Sequence, residues 1–267
     1  MILLFYAFAR EVGVFKRRLS SPTPLAYEGL HGFSAIVGDK QFSVIGHGIG
    51  ERQARETARR AFDSMPPAEL VIATGVVGAL SSDLKPGDLI LADRIFASRA
   101  EGEGAELVAA SAYNDLRAIA LSLSAAGINY STGRILTSHR VLTTGAEKRR
   151  AYESTGALAV DMESAAIAVE AAARGIPFIV VRAVLDQVDD EVVGAAMADE
   201  HGRVAPLAAT AYLVRNPGTV LKIPRMIRNL SRAATAIADA LEAIAYDGKV
   251  PTLKKSALAE AANKLRR

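Results

Sequence analysis

Short apolar runs alternate with longer, polar-faced segments along most of the chain. Ile2 to Ala9 is an unbroken apolar run of eight residues, and LVIATGVVGAL (70–80), expected to break at Gly75 and Gly78, and PFIVVRAVLD (177–186) have the same apolar character. Such runs predict strands covered on both faces. Further strands are expected at Phe33 to Val37, Gln41 to Gly46, Leu89 to Phe96 (after a turn at Pro86 and Gly87) and Arg134 to Thr137. Between them, helices are predicted from Glu51 to about Ser64, stopped by Pro66 and Pro67, from Ser111 to Ala126, closed by Gly127, and around Glu147 to Ser154. Glu11 falls at a strand end, and from there to Gly29 the chain reads as loop, with Pro22 and Pro24 inside it. A mobile surface loop is expected near Gly102 and Gly104. Pro206 to Ala245 reads as two helices separated by Asn216 to Pro224, and the last 20 residues as weakly ordered. This alternation predicts an α/β sandwich with a mostly parallel sheet, whose ligand chemistry lies at the carboxyl ends of the strands.

The period changes within VDMESAAIA, Val160 to Ala168. Leu158, Val160 and Met162 alternate with Ala159, Asp161 and Glu163, as in a strand. From Ser164 the alanine-rich SAAIAVEAAARG is helical, with Glu170 and Arg174 as an i,i+4 pair and Gly175 and Pro177 as stops. Taken alone, Asp161 and Glu163 are most simply caps for that helix.

Composition narrows the class. Half of the 267 residues are hydrophobic and 23% are charged, enough for one large core without a second domain. There is no cysteine, which excludes disulfides and thiolate metal sites and fits a reducing, cytoplasmic setting. The first run is too short for a membrane span and lacks a basic start or cleavage pattern, so it reads as a buried strand and not a signal peptide. The net charge of +3 is unevenly placed: Leu213 to Arg267 carries eleven Lys and Arg against four acids, and the preceding 212 residues are net −4. That basic tail lacks interleaved aromatics, which argues against a nucleic-acid partner. His47 and His139 read as polar loop residues, and no His/carboxylate spacing suggests a metal.

GHGIG (46–50) joins a predicted strand to a predicted helix, so its backbone N–H groups are suited to an anion or a sugar. Glu51 stands where the third glycine of a dinucleotide fingerprint belongs, which weakens a NAD reading. Together with this turn, AREV (9–12), ATGVVGAL (73–80), LKPGD (84–88), VDMESAAIA (160–168) and VVRAVLD (180–186) occur in the order and spacing of a known family. Over about residues 1 to 190 the chain resembles the nucleoside phosphorylases and nucleosidases, which include purine nucleoside phosphorylases and methylthioadenosine/S-adenosylhomocysteine nucleosidases. The resemblance implies a three-layer αβα sandwich with a central mixed, mostly parallel sheet, forming one domain over residues 1–246 and followed by a basic tail at 247–267.

What the resemblance implies about function is cleavage of the N-glycosidic bond of a purine nucleoside, without a cofactor. Glu163 would take the ribose hydroxyls and Met162 would pack on the sugar. Asp186 would protonate or hydrogen-bond N7 of the purine, and the backbone near Val141 and Leu142 would meet the base. In the hydrolytic branch Glu11 would orient or deprotonate water, with Gly48, Gly50, Gly75, Val76 and Gly78 around the nucleophile or phosphate. The chemistry requires these types: positive charge builds on the ribose, and the purine leaves poorly unless protonated by an acid kept neutral in an apolar setting. Phosphorylases of this fold usually present arginine and serine to phosphate where this chain has Ala73 and Val76. Water is therefore the preferred nucleophile, phosphate as co-substrate the alternative, and a catalytically silent nucleoside binder a third reading. Leu185 stands where nucleosidases often have serine, so Asp186 is expected to be oriented by another group. The stretch from Ala198 to Leu241 resembles the hopanoid-associated branch, which implies adenine release from a lipid-linked nucleoside such as adenosylhopane. There Leu221, Ile223, Met226, Ile227 and Leu230 interleave with Lys222, Arg225, Arg228 and Arg232, a pattern suited either to an anionic membrane surface or to a core-packed helix with a solvated basic face. A homo-oligomer is a further implication of the family.

Overall fold

The computed structural model describes residues 1–99, 104–111, 113–190, 192 and 218–247. Ten strands, β1 (Ile2–Tyr6), β2 (Thr23–Pro24), β3 (His31–Val37), β4 (Lys40–Gly46), β5 (Leu70–Ala79), β6 (Leu89–Ser98), β7 (Ala105–Ala110), β8 (Tyr130–Thr137), β9 (Ala159–Asp161) and β10 (Phe178–Asp186), form one mixed sheet. The helices are α1 (Ala9–Arg18), α2 (Glu51–Ser64), α3 (Tyr113–Ala125), α4 (Gly145–Thr155), α5 (Ser164–Ala172) and α6 (Gly218–Ala245). The α/β class and mixed sheet are as expected. Strands β4, β1, β5 and β10 are successively parallel. Part of the sheet closes on itself, because β5 pairs with both β10 and β9, and β10 continues through β6 and β8 back to β9. Strand β5 thus belongs both to the open sheet and to a closed five-strand ring.

Burial explains why these runs become strands. In β1, Leu3 and Phe5 enter the core shared with α2 and α5, whereas Ile2, Leu4 and Tyr6 enter the one shared with α1, α3 and α6. Ala54, Ala58 and Ala61 of α2 recur at helical spacing and are fully buried, so that small side chains let α2 approach α5 closely. Glu170 of α5 then receives Arg59 at 2.8 Å and its i,i+4 partner Arg174 at 2.9 Å. Opposite, Arg18 of α1 joins Asp239 of α6 at 2.6 Å.

Several boundaries differ from the sequence reading. The expected loop after Glu11 begins as helix α1, whose fully buried apolar residues are only Val12 and Phe15, with Val14 partly buried beside them, set among Arg10, Lys16, Arg17 and Arg18. Strand β7 has no counterpart among the expected elements; AELVAA contains good helix formers and is held extended by pairing with β6. Strand β9 stops at Asp161, two residues before Glu163, because Asp161 turns back to cap α5. Strand β5 continues through Gly75 and Gly78 without a break. Helix α6 runs through Pro224 where a separator was expected; the proline lies in its second turn, and burial of Ala233, Ile237, Leu241 and Ile244 further along supplies the packing that holds the helix. The expected helix before residue 216, Gly102 and the basic tail 248–267 lie outside the described residues.

Candidate active site

The carboxyl ends of β1, β5, β9 and β10 surround a cavity of about 250 Å³ lined by Glu11, Val76, Gly78, Met162, Glu163 and Asp186 among others. Val141 and Leu142 also line it. Of the remaining anticipated residues, Gly48, Gly50 and Gly75 do not line the cavity but shape what does.

Glu11 is third in α1, and its carboxylate turns back to the chain entering the helix. Oε2 accepts from Ala7 N at 2.8 Å and Phe8 N at 3.0 Å, which satisfies N–H groups left over at the helix start. Oε1 accepts from Val76 N of β5 at 2.9 Å. The residue is only 1% exposed, so Glu11 is far from a solvated loop acid. Burial pushes its pKa up, against Arg182 and these three N–H groups, which pull it down. Gly75 sits between the two charged groups. Its φ is +138°, and a Cβ there would lie 2.5 Å from both Arg182 Nη1 and Glu11 Oε1.

Glu163 occupies the N-cap position of α5, although its own side chain makes no capping bond there. Its carboxylate accepts from Gly50 N at the start of α2, at 2.8 Å, and from Met162 N at 3.2 Å. The expected anion-binding turn is therefore occupied in part by a side chain of the protein itself. Burial first, then the nearby Asp161, raises the Glu163 pKa to about 7. Asp161 has a different task. It accepts from Thr137 Oγ1 at 2.7 Å, from the N–H groups of Glu163 and Ser164 at 3.3 Å each, and from the Ser164 hydroxyl. Arg182 Nη2 lies 2.8 Å from it. Asp161 thus borders the same cavity, but its oxygens are taken up by the start of α5, by Thr137 and by Arg182.

Sequence reasoning missed Arg182 and Lys148. Arg182 reads as one polar residue in an apolar strand, yet it is completely buried, donates to Thr74 O at 2.8 Å and to Ser164 Oγ at 2.9 Å, and lies 4.0 Å from Glu163. An arginine inside an otherwise apolar strand was the available signal, since a buried guanidinium requires carboxylate partners. Around it stand three buried carboxylates, Glu11, Asp161 and Glu163. One guanidinium among three carboxylates leaves the cavity favourable to a cation, which would in turn hold Glu11 and Glu163 ionised against the rise that burial imposes on them.

Asp186 ends β10 beside Gly78 of β5. Burial raises its pKa, while the ammonium of Lys148 counters the rise. Lys148 Nζ donates to Asp186 Oδ2, to Gln187 O at 2.7 Å and to Asp190 O at 3.1 Å. A capping box fixes the start of α4, with Thr144 Oγ1 accepting from Glu147 N at 3.3 Å and Glu147 accepting from Thr144 N at 3.1 Å. That register turns Lys148 inward. Val76 and Gly78, which mark Glu11 and Asp186, are two residues apart, or about 7 Å along the strand. Of the histidines, His47 is buried, donates from Nδ1 to Gly48 O at 2.6 Å, and is held neutral with its pKa lowered to about 3, mainly by burial. His139 is exposed, 3.2 Å from Ser98 Oγ.

The sequence pattern of the phosphorylase superfamily matches residues 2–213. The chain belongs to this superfamily. Within the phosphorylase superfamily it is 23% identical over 202 residues to a 5'-methylthioadenosine/S-adenosylhomocysteine nucleosidase of Staphylococcus aureus, covering 72% of this chain and 88% of that protein. The fold matches that of the Neisseria meningitidis 5'-methylthioadenosine/S-adenosylhomocysteine nucleosidase solved with methylthio-immucillin-A, with a TM-score of 0.69 and 18% identity, over 91% of this chain and 97% of that one. It also matches futalosine hydrolase of Helicobacter pylori, with a TM-score of 0.65 and 18% identity, over 91% of this chain and 96% of the other.

Proposed function

We propose that this phosphorylase-superfamily protein is an enzyme that hydrolyses the N-glycosidic bond of an adenosine-type nucleoside and releases the free base. The observation that carries this reading is the placement of a buried carboxylate, Glu11, and a half-buried one, Asp186, beside one strand, with Glu163 lining the same cavity. Glu163 accepts hydrogen bonds from the ribose hydroxyls, and Met162 packs against the sugar. Val141 and Leu142 meet the base. As the C1'–N9 bond breaks, the electron pair leaves with the purine, Asp186 gives its proton to N7, and the ribose becomes cationic. The surplus carboxylate charge around Arg182 stabilises that cation. Water adds to C1' and passes a proton to Glu11, whose raised pKa makes it a better base.

Hydrolysis is favoured over phosphorolysis because the Val76 N–H, together with those of Ala7 and Phe8, is already bound by Glu11. A phosphate dianion placed there would meet a buried carboxylate and, at Val76, an apolar side chain. Incubation with adenosine, methylthioadenosine and an adenosyl lipid, with and without phosphate, separates the readings by free adenine. Release without phosphate supports hydrolysis; strict phosphate dependence refutes it. Tight binding without release from any of them favours a silent binder.

The substrate we favour is a lipid-linked nucleoside such as adenosylhopane, handled by a cytoplasmic homo-oligomer at a membrane surface. A second cavity of about 460 Å³ adjoins the first through Leu185, Asp186 and Val192, and α6 contributes Ile223, Arg225 and Met226 to it. Met226 and Ile227 are exposed beside the exposed Lys222, Arg225 and Arg228, a basic and apolar face that supports contact with anionic lipid. No helix of the described residues is long and apolar enough to cross a membrane. Sedimentation with phosphatidylserine vesicles, lost in Arg225→Glu/Arg228→Glu, checks the contact; equal sedimentation with neutral vesicles would overturn it. Light scattering checks the oligomer.

A further inference from the structure

The acid of the proposed reaction is gripped from one side only. Lys148 Nζ bonds to Oδ2 of Asp186, and among the described residues Oδ1 has no hydrogen-bond partner. The lysine side chain is 0% exposed, and its three N–H donors are matched by three oxygens: Asp186 Oδ2, Gln187 O and Asp190 O. A fully buried ammonium is costly unless paired in this way, so its geometry is well determined. The chain has Leu185 where a hydroxyl is expected to orient the aspartate, and Leu185 cannot hydrogen-bond.

We propose that Lys148 is the positioning residue of the acid: it clamps Oδ2 of Asp186, presents Oδ1–H to N7 of the leaving base, and stabilises the carboxylate left behind. This rests on the reading of Asp186 as the general acid. In the bond-breaking step the proton moves from Oδ1 to N7, the C1'–N9 electron pair goes to the purine, and Asp186 becomes anionic beside a fixed ammonium. The interaction is stronger after proton transfer than before it, which is the condition for lowering a barrier and not merely tightening binding. Solvent later returns a proton to Asp186, balancing the proton that Glu11 gives up after accepting it from water.

The neighbours of Asp186 define what a titration would report. From α4 come Lys148 and Arg149, the latter paired with Asp189 at 2.5 Å. Asp190, which opposes ionisation of Asp186, is itself held by Arg225 of α6 at 2.9 Å, and Lys222 borders the adjoining cavity. Lys148 is the group that lowers the Asp186 pKa, by charge and by hydrogen bond. Its removal should therefore raise that pKa further.

The test compares Lys148→Met, Lys148→Gln and Lys148→Arg in the full-length protein, using adenine release from methylthioadenosine across pH and 13C NMR titration of the Asp186 carboxyl, assigned with Asp186→Asn. Loss of the ammonium should lower kcat about 10²-fold, the scale of a misplaced catalytic group, with a much smaller change in KM. The basic limb of kcat/KM and the Asp186 titration should both move to higher pH, and Lys148→Arg should move both back toward wild type and recover part of kcat. Lys148→Gln can still donate to the Gln187 and Asp190 carbonyls, so it carries the test should Lys148→Met fail to fold. Wild-type kcat in either neutral variant, or an unmoved limb and titration, overturns the assignment. If the wild-type protein releases no base, the nucleosidase reading fails by itself, and the carboxyl titration still decides whether Lys148 governs Asp186.

Discussion

Gly75→Ala isolates how tightly the two charged groups at the head of the site are fitted together. At a φ of +138° an alanine is strained, at a cost of about 1–3 kcal/mol. Its Cβ would lie 2.5 Å from Arg182 Nη1 and from Glu11 Oε1, where ordinary contact begins at 3.4 Å. One or both groups must retreat by about 1 Å. Glu11 cannot do so and keep all of its bonds to Ala7, Phe8 and Val76. Loss of one charge-assisted bond adds about 1.5–3 kcal/mol, giving a total destabilisation of about 2.5–6 kcal/mol. Displacement of the proposed base should also lower kcat about 10²-fold. Gly50→Ala is the control, because Gly50 has a φ of +99° and a methyl group added there would meet nothing within 4 Å, so only the backbone strain remains. Urea denaturation at constant m gives the stability difference and adenine release gives kcat. If Gly75→Ala proves within about 1 kcal/mol of Gly50→Ala and retains its kcat, the close fit of Glu11 and Arg182 is refuted.

Asp186→Asn should abolish turnover while circular dichroism shows a folded protein; full activity in that variant would remove the assigned acid. Glu163, with its pKa raised to about 7, binds a proton in the folded state that the unfolded chain has already released. Its contribution to stability is therefore fully present below the ordinary glutamate pKa and is lost as pH rises to about 7, by about 3 kcal/mol at most. Urea midpoints should fall less between pH 5 and 7.5 in Glu163→Gln than in wild type, and equal falls would contradict the shift. The same variant should raise KM for the nucleoside, since a neutral amide is a weaker acceptor for two hydroxyls; an unchanged KM would argue against Glu163 as the ribose ligand.

The long strands and the junction at Asp161 were legible because continuous apolar runs and a change of period are local signals, whereas Glu11, Glu163 and Asp186 were singled out only through the family resemblance, since each alone reads as a cap or a loop acid. What escaped depended on distant partners. Lys148 sits among polar neighbours in GAEKRRAYEST, and nothing local distinguishes it from Arg149 or Arg150, which remain exposed while Lys148 is buried. Helix α1 escaped because two of the residues it buries are aliphatic or aromatic and the third is Glu11, an acid whose burial depends on Val76 from another element. Closure of the ring by β5, β9 and β10 leaves no mark in any single segment. The cap reading of Asp161 and the ligand reading of Glu163 illustrate the same limit: two acids two residues apart are separated in role by Thr137 and Arg182, both remote in sequence.

Because β5 serves the open sheet and the closed ring at once, it acts as a ruler for the site. An insertion in the hairpin between β3 and β4, at Gly38 or Asp39, would lengthen a turn and leave the cavity untouched. One extra residue between Val76 and Gly78 would move the Asp186 end away from the Glu11 end by about 3.3 Å and reverse the faces of every side chain beyond it. Changes in length among related sequences should therefore collect in the β3–β4 turn and be absent from this three-residue interval, even though the interval itself contributes no charged side chain.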